Sequence, residues 1–156
     1  MSEGNELVVT RHIAAAPEAV WAVMAERTGE WWCPVPWRAD TSAWERRPGG
    51  SAATTMHGPD GEVHEHGGVF LVWDEGRRFV STDAVTADFA PAEPFMLGIW
   101  EIEPEGEGTR YTARARHWSE EAMRRHEAMG FAEGWGACAD QLVALCEGRM
   151  IGQKSD

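Results

Sequence analysis

Apolar residues recur along the chain with two different periods, and the change of period marks the predicted elements. Residues 7–13 combine Val8 and Val9 with polar neighbours, which predicts a first strand. Pro17 then marks a helix entry, because proline is tolerated at the first helical position. The segment that follows has one apolar helical face, formed by Val20, Trp21 and Met24. Thr28-Gly29 ends this short helix.

Between residues 31 and 37 the sequence Trp-Trp-Cys-Pro-Val-Pro-Trp is apolar but carries two prolines. Each proline removes a backbone donor and restricts the residue before it, so a regular helix or a central strand is excluded. The stretch is interpreted as an apolar connector or lid.

From residue 39 to residue 117 the chain has the pattern of a meander. Short runs of aromatic and β-branched residues are separated by turn sequences such as Pro59-Asp60-Gly61. Short loops join consecutive strands in an antiparallel order. The predicted strands are 40–47, 52–58, 62–73, 77–84, 95–103 and 109–117.

Ser119 is a good helix N-cap, and it opens a segment predicted to run as one helix to about Gly148. Its apolar face is formed by Phe131, Trp135, Cys138, Leu142 and Leu145. About 30 residues at 1.5 Å each would make a rod of roughly 45 Å. The segment contains Gly130, Gly134 and Gly136, although an interior glycine costs about 1 kcal/mol. Either a kink or the close approach of a neighbour or ligand would explain them.

Several short sequences in this order resemble one protein family. They are 16–21 (Ala-Pro-Glu-Ala-Val-Trp), Trp31-Trp32, Gly67-Gly68-Val69, 78–82 (Arg-Phe-Val-Ser-Thr), 108–112 (Gly-Thr-Arg-Tyr-Thr), His117-Trp118, 129–136 and Leu142. The chain is similar, from about Val8 to Glu147, to bacterial single-domain homologues of the activator of a heat-shock-protein ATPase. These belong to the superfamily of START domains, polyketide cyclases and birch-pollen-type allergens. The family usually has a proline pair where this chain has Glu75-Gly76.

The resemblance implies an α+β helix-grip fold. In that fold a curved antiparallel sheet of about seven strands wraps around a long C-terminal helix, and two short helices follow strand 1. Residues 1–150 would form the single domain, and 151–156 a flexible tail. The family has no shared catalytic motif, and its larger eukaryotic co-chaperones carry a further domain. The resemblance therefore implies a ligand cavity rather than a defined reaction.

Composition and charge exclude several classes of partner. The formal net charge of −12 would repel nucleic-acid phosphates and anionic headgroups, so neither nucleic-acid binding nor membrane insertion is expected. The start of the chain lacks the pattern of a signal peptide, and no apolar run approaches the length of a membrane span. A cytoplasmic location is expected. The three cysteines, Cys33, Cys138 and Cys146, are expected to be reduced buried thiols.

Nine tryptophans against one tyrosine indicate an aromatic core or an aromatic-lined pocket. Core packing alone would explain Trp21, Trp100, Trp118 and Trp135. The remaining tryptophans considered, in the connector and on neighbouring strands, favour a pocket mouth. The predicted cavity wall comprises Trp32, Trp37, Trp44, Trp73, Trp100, Gly130, Phe131, Gly134, Trp135 and Cys138.

The histidines are weaker candidates for a functional site than the tryptophans. His64 and His66 share one strand face, and His57 lies on the neighbouring strand, so the three could bind a metal or act as an acid or base. No zinc-site spacing supports a metal, and none is expected, nor any other cofactor. His126-Glu127 lacks the second histidine of a metalloprotease helix. On the last strand, Arg114 and Arg116 are predicted to face solvent and the set Tyr111, Ala113 and Ala115 the interior.

Three functional hypotheses follow. The favoured one is a non-enzymatic protein that holds a small hydrophobic or aromatic molecule between the sheet and the long helix, with no catalytic residue assigned. The second is a cyclase or hydrolase that uses the same cavity, and the third is a protein-interaction module of co-chaperone type. A homodimer remains possible in each.

Overall fold

The structure is a computed structural model, and it describes residues 5–149. The predicted tail, 151–156, lies outside the described residues. In chain order the elements are β1 (Glu6–Ile13), α1 (Pro17–Glu26), α2 (Thr28–Trp31), β2 (Arg38–Trp44), β3 (Ala52–His57), β4 (Val63–His66), β5 (Val69–Asp74), β6 (Arg78–Thr82), β7 (Leu97–Glu105), β8 (Gly108–Arg116), α3 (Glu120–Ala128) and α4 (Phe131–Cys146). None of the helices in this range is long and apolar enough to cross a membrane.

The strands form two antiparallel sheets. One has the order β1-β8-β7-β6-β5 and the other β2-β3-β4. An isolated bridge between Ser51 and Val69 links the two, and the Phe70 amide donates to the Gly50 carbonyl at 2.9 Å beside it. The predicted α+β class and helix-grip fold are confirmed, although the sheet of about seven strands is realised as eight strands in two sheets.

The extra strand arises because the predicted strand 62–73 is divided at Gly67-Gly68. Its first part pairs with β3 and its second part with β6, so the chain changes sheets at the two glycines. A Cβ at Gly68 would lie 2.2 Å from the Thr82 carbonyl oxygen. Only glycine permits that backbone approach.

The predicted single helix from Ser119 to Gly148 is also divided, and that prediction was wrong in its length. Gly130 has φ +98°, a left-handed conformation that ends α3 and starts α4 in a new direction. Ser119 does cap α3, since its hydroxyl accepts from the Ala122 amide at 3.1 Å. The 16 residues of α4 span about 24 Å, and this shorter helix packs along β1.

The core lies between α4, α1 and the inner face of the five-stranded sheet. On β8 the side chains of Tyr111, Ala113 and Ala115 are buried, as predicted. Arg114 and Arg116 lie on the opposite face, where both pair with Glu6 at 3.3 and 2.9 Å. Alternation along β8 therefore separates core from surface as the sequence indicated.

Candidate functional site

An apolar cavity lies between the two sheets, the connector after α2 and the start of α4. Its smaller lobe, of about 60 Å³, is lined by Thr28, Trp31, Trp32, Trp44, Ala52, Thr54, His66, Phe79, Ser81, Met96 and Trp100. Its larger lobe, of about 240 Å³, is lined by Trp32, Cys33, Pro34, Thr54, Met56, His66, Phe95, Met96, His126, Gly134, Trp135 and Cys138. The lobes share Trp32, Thr54, His66 and Met96, so they adjoin. We call the two lobes together the tryptophan cavity.

Three indole rings form the wall between sheet and helix. Trp100 on β7 stacks on Trp135 on α4, with ring centroids 5.5 Å apart and planes 13° apart. Trp32 meets both edge-on, at 5.4 Å from Trp100 and 5.1 Å from Trp135. Such offset and edge-to-face geometry is favoured by the ring quadrupoles, and it makes this wall rigid.

Gln141 holds the connector that carries Trp32 in place. Its side chain, 5% exposed on α4, donates from Nε2 to the carbonyl oxygens of Trp31 (2.8 Å) and Cys33 (3.0 Å). Its Oε1 accepts from the Val35 amide at 2.9 Å. One side chain thus replaces the partners that the proline-rich connector cannot find in regular structure.

Two thiols border the cavity at the same point. The Cys33 amide donates to the Cys138 sulfur at 3.2 Å, and Cys33 itself has φ +95°. Burial raises the pKa of the Cys138 thiol to about 12, and burial also raises the pKa of Cys33. Both are protonated at neutral pH and act as apolar wall rather than as nucleophiles.

Asp83 positions the segment that closes the cavity between β6 and β7. Its Oδ1 accepts from the amides of Phe95 (2.9 Å) and Met96 (3.3 Å), and both of these residues line the cavity. Its Oδ2 lies 3.9 Å from His66 Nε2. A carboxylate at the cavity rim therefore fixes two apolar lining residues through their backbone.

A buried pair of histidines closes the end of the larger lobe. His117 Nε2 and His126 Nδ1 are 2.9 Å apart, and both residues are 7% exposed. Phe95 and Phe131 contact His126, with centroids at 4.6 and 5.2 Å. Sequence reasoning missed this pair, because the two histidines are nine residues apart, one just after β8 and one on α3, without the fixed spacing of a motif.

Gly134 forms a gap in the α4 wall of the larger lobe. Apart from its chain neighbours and the adjacent backbone of α4, no heavy atom lies within 4 Å of the position that a Cβ would occupy there. Gly136, two residues on, is different, because a Cβ there would lie 3.2 Å from the Arg11 guanidinium. The space that the sequence suggested beside these glycines is therefore found at Gly134.

Six of the ten residues predicted for the cavity line it: Trp32, Trp44, Trp100, Gly134, Trp135 and Cys138. The other four are not among the lining residues and have contacts or roles elsewhere in the fold. Trp37 stacks on His64 at 5.6 Å, and Trp73 stacks on Phe79 at 5.1 Å. Gly130 is the helix breaker described above. Phe131 packs behind Trp135 at 4.8 Å.

Trp118 is a further correction, since it is 56% exposed rather than part of the core. It lies two residues after the end of β8 and directly before the Ser119 cap, where the chain leaves the sheet. The sequence shows that Trp118 flanks a strand, but it does not show whether the side chain faces the core or the solvent.

The three histidines of the catalytic hypothesis do not converge. His57 Nε2 lies 3.0 Å from Asp40, and His64 stacks on Trp37 on an exposed strand. Only His66 reaches the cavity, where it lines both lobes. Within residues 5–149 no three histidine, cysteine or acidic side chains are grouped so that they could hold a metal ion.

A second depression, of about 690 Å³, lies on the outer face of the five-stranded sheet. Half of the residues that line it are charged, and several of these are already paired. Arg110 contacts Glu103 at 3.5 Å, and Arg114 contacts Glu101 at 2.9 Å. The tryptophan cavity, with its apolar and aromatic lining, has the character of a small-molecule site.

Comparison with known structures agrees with this architecture. A crystal structure of a protein from Nitrosomonas europaea is 34% identical, with a TM-score of 0.87; the match covers 95% of this chain and 97% of that one. A crystal structure from Mycobacterium smegmatis is 26% identical, with a TM-score of 0.77 and coverage of 93% and 92%. The AHSA1 protein from Silicibacter pomeroyi, 21% identical with a TM-score of 0.69 and coverage of 91% and 97%, shares the fold.

No curated protein matches the chain. The family model described as "Activator of Hsp90 ATPase homolog 1-like protein" matches residues 14–147. That range includes α1, every strand but β1, and all of α4, so it takes in the whole wall of the tryptophan cavity. The chain therefore belongs to the family of Activator of Hsp90 ATPase homolog 1-like proteins.

Proposed function

We propose that this protein binds a small, uncharged, largely aromatic molecule in the tryptophan cavity. The observation that carries the proposal is the gap at Gly134, which leaves the larger lobe open beside the stacked rings of Trp100 and Trp135. Flat aromatic ligands gain both apolar burial and ring contacts from such a wall. The two lobes together lie at the lower end of the roughly 300–1,000 Å³ of typical ligand sites.

The lining also indicates the charge of the ligand. Among the described residues that line the cavity, the titratable side chains are His66, His126 and two cysteines, with no arginine, lysine or carboxylate. Desolvating an ion costs several kcal/mol unless an opposite charge compensates it. The net charge of −12 adds to the cost for an anion. A neutral ligand fits this wall best.

Gly134→Leu tests the proposal directly. The leucine side chain would extend into the larger lobe, while replacement of a helical glycine favours α4 by about 0.8 kcal/mol. The variant should stay folded and lose at least about tenfold in affinity for any compound that binds the wild type. Ala132→Leu is the matched control, because Ala132 is exposed on the same helix.

Binding is measured first by native mass spectrometry of the wild type with neutral aromatic compounds of one, two and three rings. The compounds that bind are then titrated into both variants by calorimetry. A protein that remains bare with every ring size would contradict the proposal. Equal affinity of Gly134→Leu and wild type would instead place the binding site elsewhere on the molecule.

A further inference from the structure

Three buried indole N–H groups have no hydrogen-bond acceptor among the described residues: Trp31, Trp44 and Trp100. All three residues line the smaller lobe of the tryptophan cavity. Trp31 is 1% exposed and Trp100 is 7% exposed. A buried donor without a partner costs about 1–3 kcal/mol, and native structures contain few of them. Three around one cavity are therefore an unusual concentration.

Two tryptophans outside the cavity have a hydrogen-bond acceptor for their indole N–H groups. The Nε1 of Trp21 and the Nε1 of Trp73 both donate to the Glu75 carboxylate, at 2.5 and 2.9 Å. Glu75 stands in the turn between β5 and β6, and it satisfies two indoles at once. Among the described residues, the buried indole N–H groups without an acceptor all belong to residues that line the smaller lobe, whereas Trp21 and Trp73, which lie away from it, share Glu75 as their acceptor.

We infer that the smaller lobe recognises a carbonyl oxygen of the bound molecule through these indole N–H groups, so that the ligand class is an aromatic ketone or quinone. This inference rests on the proposed function, because it concerns the same cavity. A carbonyl oxygen has two lone pairs and carries no charge. It supplies acceptors to the donors without the desolvation cost of a carboxylate, for which the described lining of the smaller lobe contains no arginine or lysine.

Matched pairs of probes test the inference on the unmodified protein. Indane and indanone, and fluorene and fluorenone, differ within each pair only by a carbonyl group in place of a methylene. A carbonyl placed in an apolar site without donors loses its bonds to water, which weakens binding. A carbonyl bonded by the indoles should bind about tenfold more tightly than the hydrocarbon, as measured by calorimetry.

The outcomes separate this inference from the proposed function. Hydrocarbons that bind as tightly as their ketones, or more tightly, would overturn the inference and leave the cavity as the binding site. If neither the ketone nor the hydrocarbon of either pair binds, the proposed function is contradicted as well. Indane carboxylate serves as the charged comparison, and tighter binding of this anion than of indanone would overturn the choice of a neutral carbonyl.

Single substitutions identify the donors. Trp31→Phe, Trp44→Phe and Trp100→Phe each keep an aromatic ring but remove one N–H group. The ketone preference, taken as the ratio of ketone to hydrocarbon affinity within one variant, should fall several-fold in at least one of them. Trp73→Phe is the control, because its N–H bonds Glu75 outside the cavity, and it should keep the full preference. An unchanged preference in all three donor variants, Trp31→Phe, Trp44→Phe and Trp100→Phe, would refute the assignment.

Nuclear magnetic resonance of the indole N–H protons provides a readout that needs no variant. Fluorenone, but not fluorene, should move the proton resonances of Trp31, Trp44 or Trp100 downfield, as a new hydrogen bond requires. The competing arrangement is an N–H group directed at an aromatic face, since Trp44 meets Phe70 edge-on at 4.9 Å. If the indole N–H protons resonate upfield and fluorenone does not move them, the N–H groups are directed at aromatic faces. That result would overturn the inference.

Discussion

His117 Nε2 lies 2.9 Å from His126 Nδ1 inside the protein, and His126 is the donor of this hydrogen bond when His117 is neutral. The direction of this hydrogen bond follows from the contact made by the other ring nitrogen of His117. His117 Nδ1 lies 2.9 Å from the carbonyl oxygen of Asn5, which can only accept, so the proton of His117 is on Nδ1. His126 must then donate from its own Nδ1. The lone pair of its Nε2 has no partner among the described residues.

Burial disfavours a second proton on His126, which would be taken up at Nε2. Burial and the neighbouring His117 lower the pKa of His126 to about 4 from its ordinary value of 6.5. The unfolded chain therefore takes up this proton first, between pH 6.5 and 4. We expect the free energy of unfolding to fall as the pH drops through that window, by on the order of 2 kcal/mol, and the loss to be complete below the folded pKa.

Chemical denaturation between pH 7 and 5 measures this effect before most carboxylates titrate. His126→Asn keeps an amide donor for His117 but no group that titrates, so the dependence of stability on pH should become shallower. His64→Asn removes a histidine from an exposed strand and should leave the slope as in the wild type. A slope that is identical in the His126 variant would show that this pair does not control acid stability.

The Gln141 side chain leads to a prediction about the connector. Gln141→Leu keeps the size of the side chain but removes three hydrogen bonds to the backbone of Trp31, Cys33 and Val35. Unsatisfied buried backbone groups cost about 1–3 kcal/mol each, partly relieved if the connector reaches water. We expect a loss of about 3 kcal/mol in the free energy of unfolding, measured by urea denaturation.

The same substitution should also weaken ligand binding, because Trp32 would lose its fixed orientation against Trp100 and Trp135. Asp140→Leu is the control on the same helix, since Asp140 is exposed and makes only a surface ion pair with Arg11. If Gln141→Leu destabilised the protein no more than this control, the connector would be held by packing and not by Gln141.

Local patterns in the sequence predicted the strands and the position of α1 because each depends on residues close together in the chain. Strand alternation separated Tyr111 from Arg114 correctly. The tryptophans on β2, β7 and α4 were assigned to one cavity because the fold that the sequence resembles brings those elements together. Trp37 and Trp73 stack on His64 and Phe79 instead of lining the cavity, and these partners lie on strands whose register the sequence does not show.

The site also depends on contacts between residues far apart in the chain. Gln141 meets Trp31 across 110 residues, and Asp83 meets Phe95 through a loop without regular structure. No periodicity encodes such contacts, because each is made by one polar side chain with backbone groups. The histidine pair and the unsatisfied indoles escape sequence analysis in the same way, since their chemistry is defined by burial and not by spacing.

Gly130 and Gly134 lie four residues apart and should respond in opposite directions to the same substitution. Gly130 has φ +98° between α3 and α4, a conformation in which a Cβ is strained, so Gly130→Ala should cost about 1 kcal/mol or more. Gly134 lies inside α4 with open space around its Cβ position, so Gly134→Ala should gain about 0.5–1 kcal/mol. Thermal unfolding of the two variants measures both effects. A loss at Gly134 would show that the helix needs this glycine for more than space, whereas a gain at Gly130 would mean that the break between the helices is not set by its backbone.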